Sequence, residues 1–377
     1  MGIVVKPYTA EHREAVRAFN ERLRAGGVNM RFPESHIPPD LPKLEGKPVY
    51  YDYLLALDEG AVRGAYMLKH QPFEIAGQVN PLALYRLPLS EGCFDKRFSA
   101  LGVQLFLDAL RRAPLLYTVG LGGYDEAITQ LLVRAGWSTW AVPFYFRVLR
   151  PAAFLRNIVY LRRTPARRAA LDVLAATGLG TLGVGAYQLW KAGRLRAPAA
   201  PTSCSIEASF GPWADDIWNA ARGEYSMIAV RDAHVLNTLY PPGDDRWVRL
   251  RVAHAGRTVG WAAVLNVPMD GHNYFGNMRV GSLVDCLSVP GMETEVARAA
   301  VQYLQQTAAD IVVANFSHHR WRAALAAAGM FEGPSNYIFA ASKNVSAMLN
   351  PFEERKHSIH MTRGDGVGAE NLIAARK

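Results

Sequence analysis

The sequence predicts a mixed α/β protein made of two tandem copies of one strand–helix domain, joined by a basic, partly apolar helical linker. Three observations carry this. The chain has 377 residues, the length of two domains rather than one. A strand–helix–strand–helix–Gly pattern occurs twice at a near-constant offset: Gly136 and Gly329 are 193 positions apart, and the buried strands near Tyr117 and Ile311 are 194 apart. The net charge of +9 is concentrated between Arg150 and Cys204, where nine basic residues meet one acid, Asp172. The expected division is 1–150 for the first domain, 151–204 for the linker, 205–345 for the second domain and 346–377 for a polar tail.

In the first half, Ile3–Lys6 reads as a strand and Ala10–Ala25 as a helix stopped by Gly26-Gly27. After a Pro-rich loop, Tyr50–Leu57 and Val62–Lys69 form a hairpin around Asp58-Glu59-Gly60, and Val79–Leu89 is a further strand. Leu101–Arg112 is an amphipathic helix, with Leu101, Leu105, Phe106 and Ala109 inward and Gln104, Asp108, Arg111 and Arg112 outward. Leu115–Val119 is a buried strand, Asp125–Ala135 a helix ended by Gly136, and Trp137–Leu149 the strands that close this sheet.

In the second half, Trp213–Arg222 is a helix, and Val248–Ala253 pairs with Thr258–Leu265 around Ala255-Gly256-Arg257. Val280–Ser288 (strand), Glu293–Thr307 (helix), Ile311–Ala314 (strand) and His319–Ala328 (helix) follow, and Tyr337–Ala341 closes the sheet. The tail, with Thr362-Arg363-Gly364-Asp365-Gly366, is polar and Gly-rich; it could fold over a site, but its default reading is a mobile terminus.

Composition removes several function classes. At 50% hydrophobic and 20% charged residues the chain is neither disordered nor fibrous. Cys93, Cys204 and Cys286 are too few for a disulfide framework or a zinc knuckle, and His357-x-x-His360 lacks partners at metal spacing, so no metal is expected. Outside the linker 33 basic residues face 32 acids, leaving no basic face for nucleic acid. No Gly-x-Ser-x-Gly elbow marks a hydrolase. Gly178-x-Gly180-x-x-Gly183 follows a helix and has no acid about 20 residues on, so it is not a dinucleotide fingerprint.

The linker's apolar run, Ala169–Trp190, has Asp172 as its only charge and basic flanks. Two readings stand: an interfacial segment on anionic lipid, or a helical pair buried between the domains. Basic residues on both flanks argue against a single crossing. The start of the chain has no signal-peptide pattern, so the expected location is cytoplasmic, with the inner face of the cytoplasmic membrane open to residues 150–204.

This order of elements resembles the GNAT acyltransferase fold, in which splayed fourth and fifth strands admit acyl-coenzyme A. The family's Arg/Gln-x-x-Gly-x-Gly/Ala turn is matched in position by Arg97-Phe98-Ser99-Ala100-Leu101-Gly102, with Ala100 in place of the first glycine. The resemblance implies that these six residues hold the coenzyme pyrophosphate on main-chain amides where a helix begins. In the second half, Ser288-Val289-Pro290-Gly291-Met292-Glu293 lacks that spacing and opens the helix with an acid that repels phosphate. The tract Arg231–Asn237, with the hairpin ending Val259-Gly260-Trp261, is similar to bacterial GNAT-type proteins of cell-surface glycan assembly, and Fem-type peptidyltransferases also pair copies of this fold.

The implied activity is transfer from acetyl-coenzyme A or another acyl-coenzyme A to an amine, on a small-molecule or lipid-linked acceptor such as an amino sugar. Two alternatives stand beside it: a scaffold that has lost turnover, and Fem-type aminoacyl or peptidyl transfer, which the near-neutral halves disfavour. Acyl transfer needs a base for the ammonium, a donor to the thioester oxygen and an acid for the thiolate. The family's tyrosine, four residues before the last helix's glycine, is replaced by Leu132 and Leu325. The remaining candidates are Asp285, unexpected within a strand, and His318 and His319 after a buried strand. Tyr85 and Tyr124 are alternative acids. Each also has a plain reading: an outward acid, a cap or packed ring, a core or surface aromatic.

Overall fold

The computed structural model describes residues 2–180, 182, 183, 186, 201–367 and 372. Their strands are β1 (Val4–Pro7), β2 (Tyr50–Asp58), β3 (Ala61–Ile75), β4 (Gln78–Ser90), β5 (Leu116–Val119), β6 (Ser138–Ala141), β7 (Phe144–Val148) and β8 (Thr202–Glu207), then β9 (Met227–Ala229), β10 (Val248–His254), β11 (Arg257–Pro268), β12 (Arg279–Ser288), β13 (Ile311–Asn315), β14 (Phe331–Gly333), β15 (Ile338–Ala341) and β16 (Ile359–His360). The first sheet runs β1-β2-β3-β4-β5-β15-β6 and the second β8-β10-β11-β12-β13-β7-β14, so the two orders match position for position. The tandem α/β reading stands.

The sixth position of each sheet is filled from the other half. β15 lies antiparallel between β5 and β6, with Phe339 opposite Val119 and Trp140. β7 lies between β13 and β14, with Phe146 opposite Val313 and Phe331. This corrects the expectation that Trp137–Leu149 and Tyr337–Ala341 close their own sheets. The cause is local. Between β6 and β7 the chain has only Val142 and Pro143, with no positive φ among them, and a tight hairpin needs one. Proline also drives Val142 towards extended backbone, so the strand runs straight on into the other sheet.

Helices cover the sheets as the apolar spacing predicts. Leu101–Arg112 turns Leu101, Leu105, Phe106 and Ala109 inward, and Glu293–Gln306 does the same with Val296, Ala297, Ala300, Val301 and Leu304. On the opposite faces lie Arg13–Ala25, through Val16, Phe19 and Leu23, and Pro212–Ala221, through Ala214, Ile217 and Trp218. Asp108 is an exception to the predicted outward face. It is buried, and it accepts hydrogen bonds from the Tyr66 hydroxyl at 2.6 Å and Arg112 Nε at 2.7 Å.

Two features tie the halves further. β9, from the second half, pairs antiparallel with the end of β3, Ala229 facing Phe73, and β16 pairs with β9. In the linker, helices Pro151–Asn157 and Pro165–Ala176 pack together through Leu155 and Ala175, and the Thr164 side chain caps the second. Among the described residues no helix is long and apolar enough to cross a membrane. The rest of the apolar run, most of 181–200, lies outside the described residues.

Candidate active site

Each lobe has a splay between its fourth and fifth strands. In the first lobe β4 and β5 pair in parallel only at Ala83–Leu116 and Leu84–Tyr117, while β4 continues to Ser90. The ladder from β4 to β3 breaks between Arg86 and Leu89, where Leu87 takes φ +48. Such a bulge re-aims the strand beyond it.

The chain then makes short turns at Glu91–Cys93 and Lys96–Phe98 before the helix at Leu101. Asp95 accepts from the Arg97 amide at 3.0 Å and holds the Arg97 guanidinium at 2.6 Å. Phe98 and Leu101 are buried and anchor the turn, so their side chains do not face a ligand. Ser99 and Ala100 are exposed, and a Cβ built on Gly102 meets nothing within 4 Å. Ala100, not Ser99, is the helix N-cap. At φ −84 it needs no glycine, and it supplies no side-chain cap. The first-turn amides are therefore left for water or an anion. The Ser99 amide is already used, donating to Lys96 O at 3.2 Å, so of the predicted turn the amides of Ala100 and Gly102 are the ones left open, with Arg97 held beside them by Asp95.

The second splay is filled. β12 and β13 pair as far as Leu283–Ala314, and beyond that point residues 360–364 lie between them. Gly364 N donates to Val284 O at 3.2 Å, and His360 Nε2 lies 3.2 Å from Cys286 O. Across the gap Ser317 N donates to Met361 O at 3.1 Å, and Met361 N donates to Ser317 Oγ at 2.7 Å. Ile359, His360, Met361, Thr362 and Asp365 are all buried. Residues 359–367 of the tail are thus packed into the fold, which corrects the mobile-terminus reading over that stretch. The helix start at Glu293 is likewise uncapped with open space at Gly291, but Glu293 itself is buried there and its charge opposes a phosphate.

At the closed end of this splay, Arg231 is 1% exposed and bridges two carboxylates, reaching Asp285 at 3.1 Å and Asp365 at 2.9 Å. The Tyr240 hydroxyl donates to Asp285 at 3.0 Å, and Thr362 Oγ1 donates to Asp285 at 3.2 Å. From the first lobe, the Tyr117 hydroxyl donates to Asp365 O at 2.9 Å and Lys69 Nζ to Gly364 O at 3.1 Å. Burial lowers the Arg231 guanidinium, but both carboxylates outweigh it and raise it further above its ordinary value. Burial raises Asp285 to about 6 against the pull of Arg231, so it is ionised at neutral pH and committed to this pair.

The five predicted catalytic residues are not brought together as one open centre. Asp285 is sealed in the cluster just described. His318, 1% exposed, packs against Tyr225 with neither ring nitrogen hydrogen-bonded, and burial lowers it to about 3. It is a neutral packed ring. His319 is exposed at the helix start, its Nδ1 3.0 Å from His357 O. Tyr85 lies beneath the helix against Tyr66 and Phe106, and burial raises its hydroxyl well above 10. Tyr124 is 44% exposed beyond the Gly120–Gly123 loop. Sequence reading missed Arg231, Lys69 and Asp365 as partners, because no periodicity pairs residues so far apart in the chain.

No family model and no curated protein matches the chain. Solved structures do. A conserved protein of unknown function from Enterococcus faecalis V583, described as a "Probable N-Acyltransferase", aligns at TM-score 0.52 and 8% identity over 92% of this chain and 74% of that one. Saccharomyces cerevisiae N-myristoyltransferase with bound myristoyl-CoA aligns at TM-score 0.53 and 9% identity, over 90% and 78% of the two chains. A GCN5-related N-acetyltransferase from Anabaena variabilis ATCC 29413 gives 0.52 and 9%, over 90% and 72%. At these identities the likeness is one of fold: the chain has the GNAT-type acyltransferase fold.

Proposed function

We propose that the protein transfers an acyl group from acyl-coenzyme A to an amine, with the coenzyme held by the first lobe alone. The observation that carries this reading is the contrast between the splays. In the first lobe an uncapped helix start with open space at Gly102 follows the splayed β4. In the second, the chain's own residues 360–364 occupy the corresponding groove. The neighbours of like fold include a myristoyl-CoA complex, which agrees with an acyl-coenzyme A substrate.

In the reaction, the amine nitrogen forms a bond to the thioester carbonyl carbon. The carbon–sulfur bond then breaks, and the thiolate leaves with the proton that the ammonium gives up. Ala100 and Gly102 amides bind the pyrophosphate, and the Arg97 guanidinium, turned from Asp95 to the phosphate, adds charge. The acceptor is an amino group, with an amino sugar of surface-glycan assembly as the specific proposal.

A second reading, a scaffold without turnover, is favoured by one observation: Asp285 and His318 are sealed rather than presented. Thermal shift with acetyl- and myristoyl-coenzyme A separates the two. A dose-dependent rise in melting temperature is expected, absent from Gly102→Glu. A flat response to both thioesters sinks the transferase reading.

A further inference from the structure

The linker helix Pro165–Ala176 is amphipathic the wrong way round for a water-facing helix. At 100° per residue, Ala166, Ala169, Ala170, Val173 and Ala176 fall within an arc of about 120°. All five are exposed, whereas Leu171 and Ala175, opposite, turn into the protein. Ordinary surface helices show water their charged face. Further apolar side chains stand out nearby: Val159, Tyr160 and Leu161 on the preceding turn, then Leu174, Leu179 and Leu182, the last 70% exposed.

The charges around this patch share one sign. Arg156, Arg163, Arg167 and Arg168 are exposed, and Arg163 lies over the Tyr160 ring at 4.5 Å. Asp172 is the segment's single acid, and Arg162 neutralises it through two contacts of 2.8 and 2.9 Å. Exposed apolar surface framed by arginines matches the two components of an anionic bilayer interface, acyl chains below and phosphates above. Arginine stems lie along apolar surface while their heads reach phosphate.

We propose that residues 156–180, with Leu182, seat the protein on the surface of an anionic membrane, with the alanine–valine face of the helix in the acyl boundary and Arg163 and Arg167 on lipid phosphates; Arg168, on the opposite side of the helix, donates to Arg162 O at 2.8 Å instead. The seat is peripheral and independent of the acyl-transfer reading.

The test is flotation of the full-length protein with vesicles of phosphatidylcholine, alone or with roughly one-third phosphatidylglycerol. Binding to the mixed vesicles only, weakened by salt, is expected. Arg163→Gln/Arg167→Gln should weaken it by roughly thirtyfold. Val173→Asp/Leu174→Asp should abolish it, with melting temperatures unchanged because both sites are exposed. The proposal is overturned if the native protein stays with buffer, if it binds neutral vesicles equally, or if both variants still float. It is likewise overturned if Val173→Asp/Leu174→Asp dissolves a dimer on size exclusion, or if the arginine variant loses binding to RNA instead of lipid.

Discussion

Arg231 and Asp365, 134 residues apart in sequence, meet at 2.9 Å in a site from which water is excluded. The contact pins the C-terminal segment into the second lobe, and Asp285 on the other side of the guanidinium completes a bridge from β12 to the tail.

Removing the cation leaves two carboxylates buried against each other. Arg231→Met should cost about 3–5 kcal/mol, read as a lower urea midpoint with little change in m. Arg231→Met/Asp285→Asn/Asp365→Asn should recover a large part of that loss, because uncompensated charge rather than lost packing is the cause. A triple variant as unstable as the single one contradicts this account.

Gly366 is set by close approach: a Cβ there would run into the Tyr337 hydroxyl and Val119. Gly366→Ala should destabilise by about 1–3 kcal/mol. Gly102→Ala is the opposite case, in open space within a helix, and should stabilise by about 0.5–1 kcal/mol. Urea unfolding of the pair checks both signs.

Acid should loosen the second lobe. Burial holds His318 at about 3 and His360 well below its ordinary value, whereas an unfolded histidine titrates near 6.5. Below 6.5 the unfolded chain therefore binds more protons, and stability falls as pH drops from there towards 3. Asp285, raised to about 6, works the other way between 6 and its ordinary 3.8, one group against two. The urea midpoint should fall between about pH 7 and pH 5, and less so in His318→Phe. An unchanged midpoint argues against buried neutral rings.

Because each sheet borrows its sixth strand, the halves should not separate when the connection between them is cut. Residues 1–186 and 201–377 expressed together should co-purify as a one-to-one complex, and each alone should be insoluble or unfolded by circular dichroism. Two soluble, folded halves refute the exchange.

The duplication was legible in the sequence because Gly136 and Gly329 both end helices with φ near +80, and the intervening apolar runs have fixed lengths. Which sheet receives Phe144–Val148 was not. Both closing strands are short and apolar, so either fits either slot, and the choice depends on the connection at Val142-Pro143 rather than on pattern. The tail misled for a different reason. Thr362-Arg363-Gly364-Asp365-Gly366 carries the composition of an exposed segment, and burying it becomes favourable only once Arg231 and Lys69 supply partners. The Arg97–Gly102 turn does lie between β4 and the next helix, although Phe98 and Leu101 serve the core, and Ala100 takes a negative φ that needs no glycine.

On the ribosome, β6 emerges about 200 residues before the strand that must wedge between it and β5. At typical synthesis rates, β5 therefore waits roughly 10–40 seconds with an unpaired edge. During that interval the nascent first lobe needs shielding from other chains, and a transcript cut short anywhere before Ala341 yields no usable fragment. Assembly has to be finished from the carboxyl end backwards.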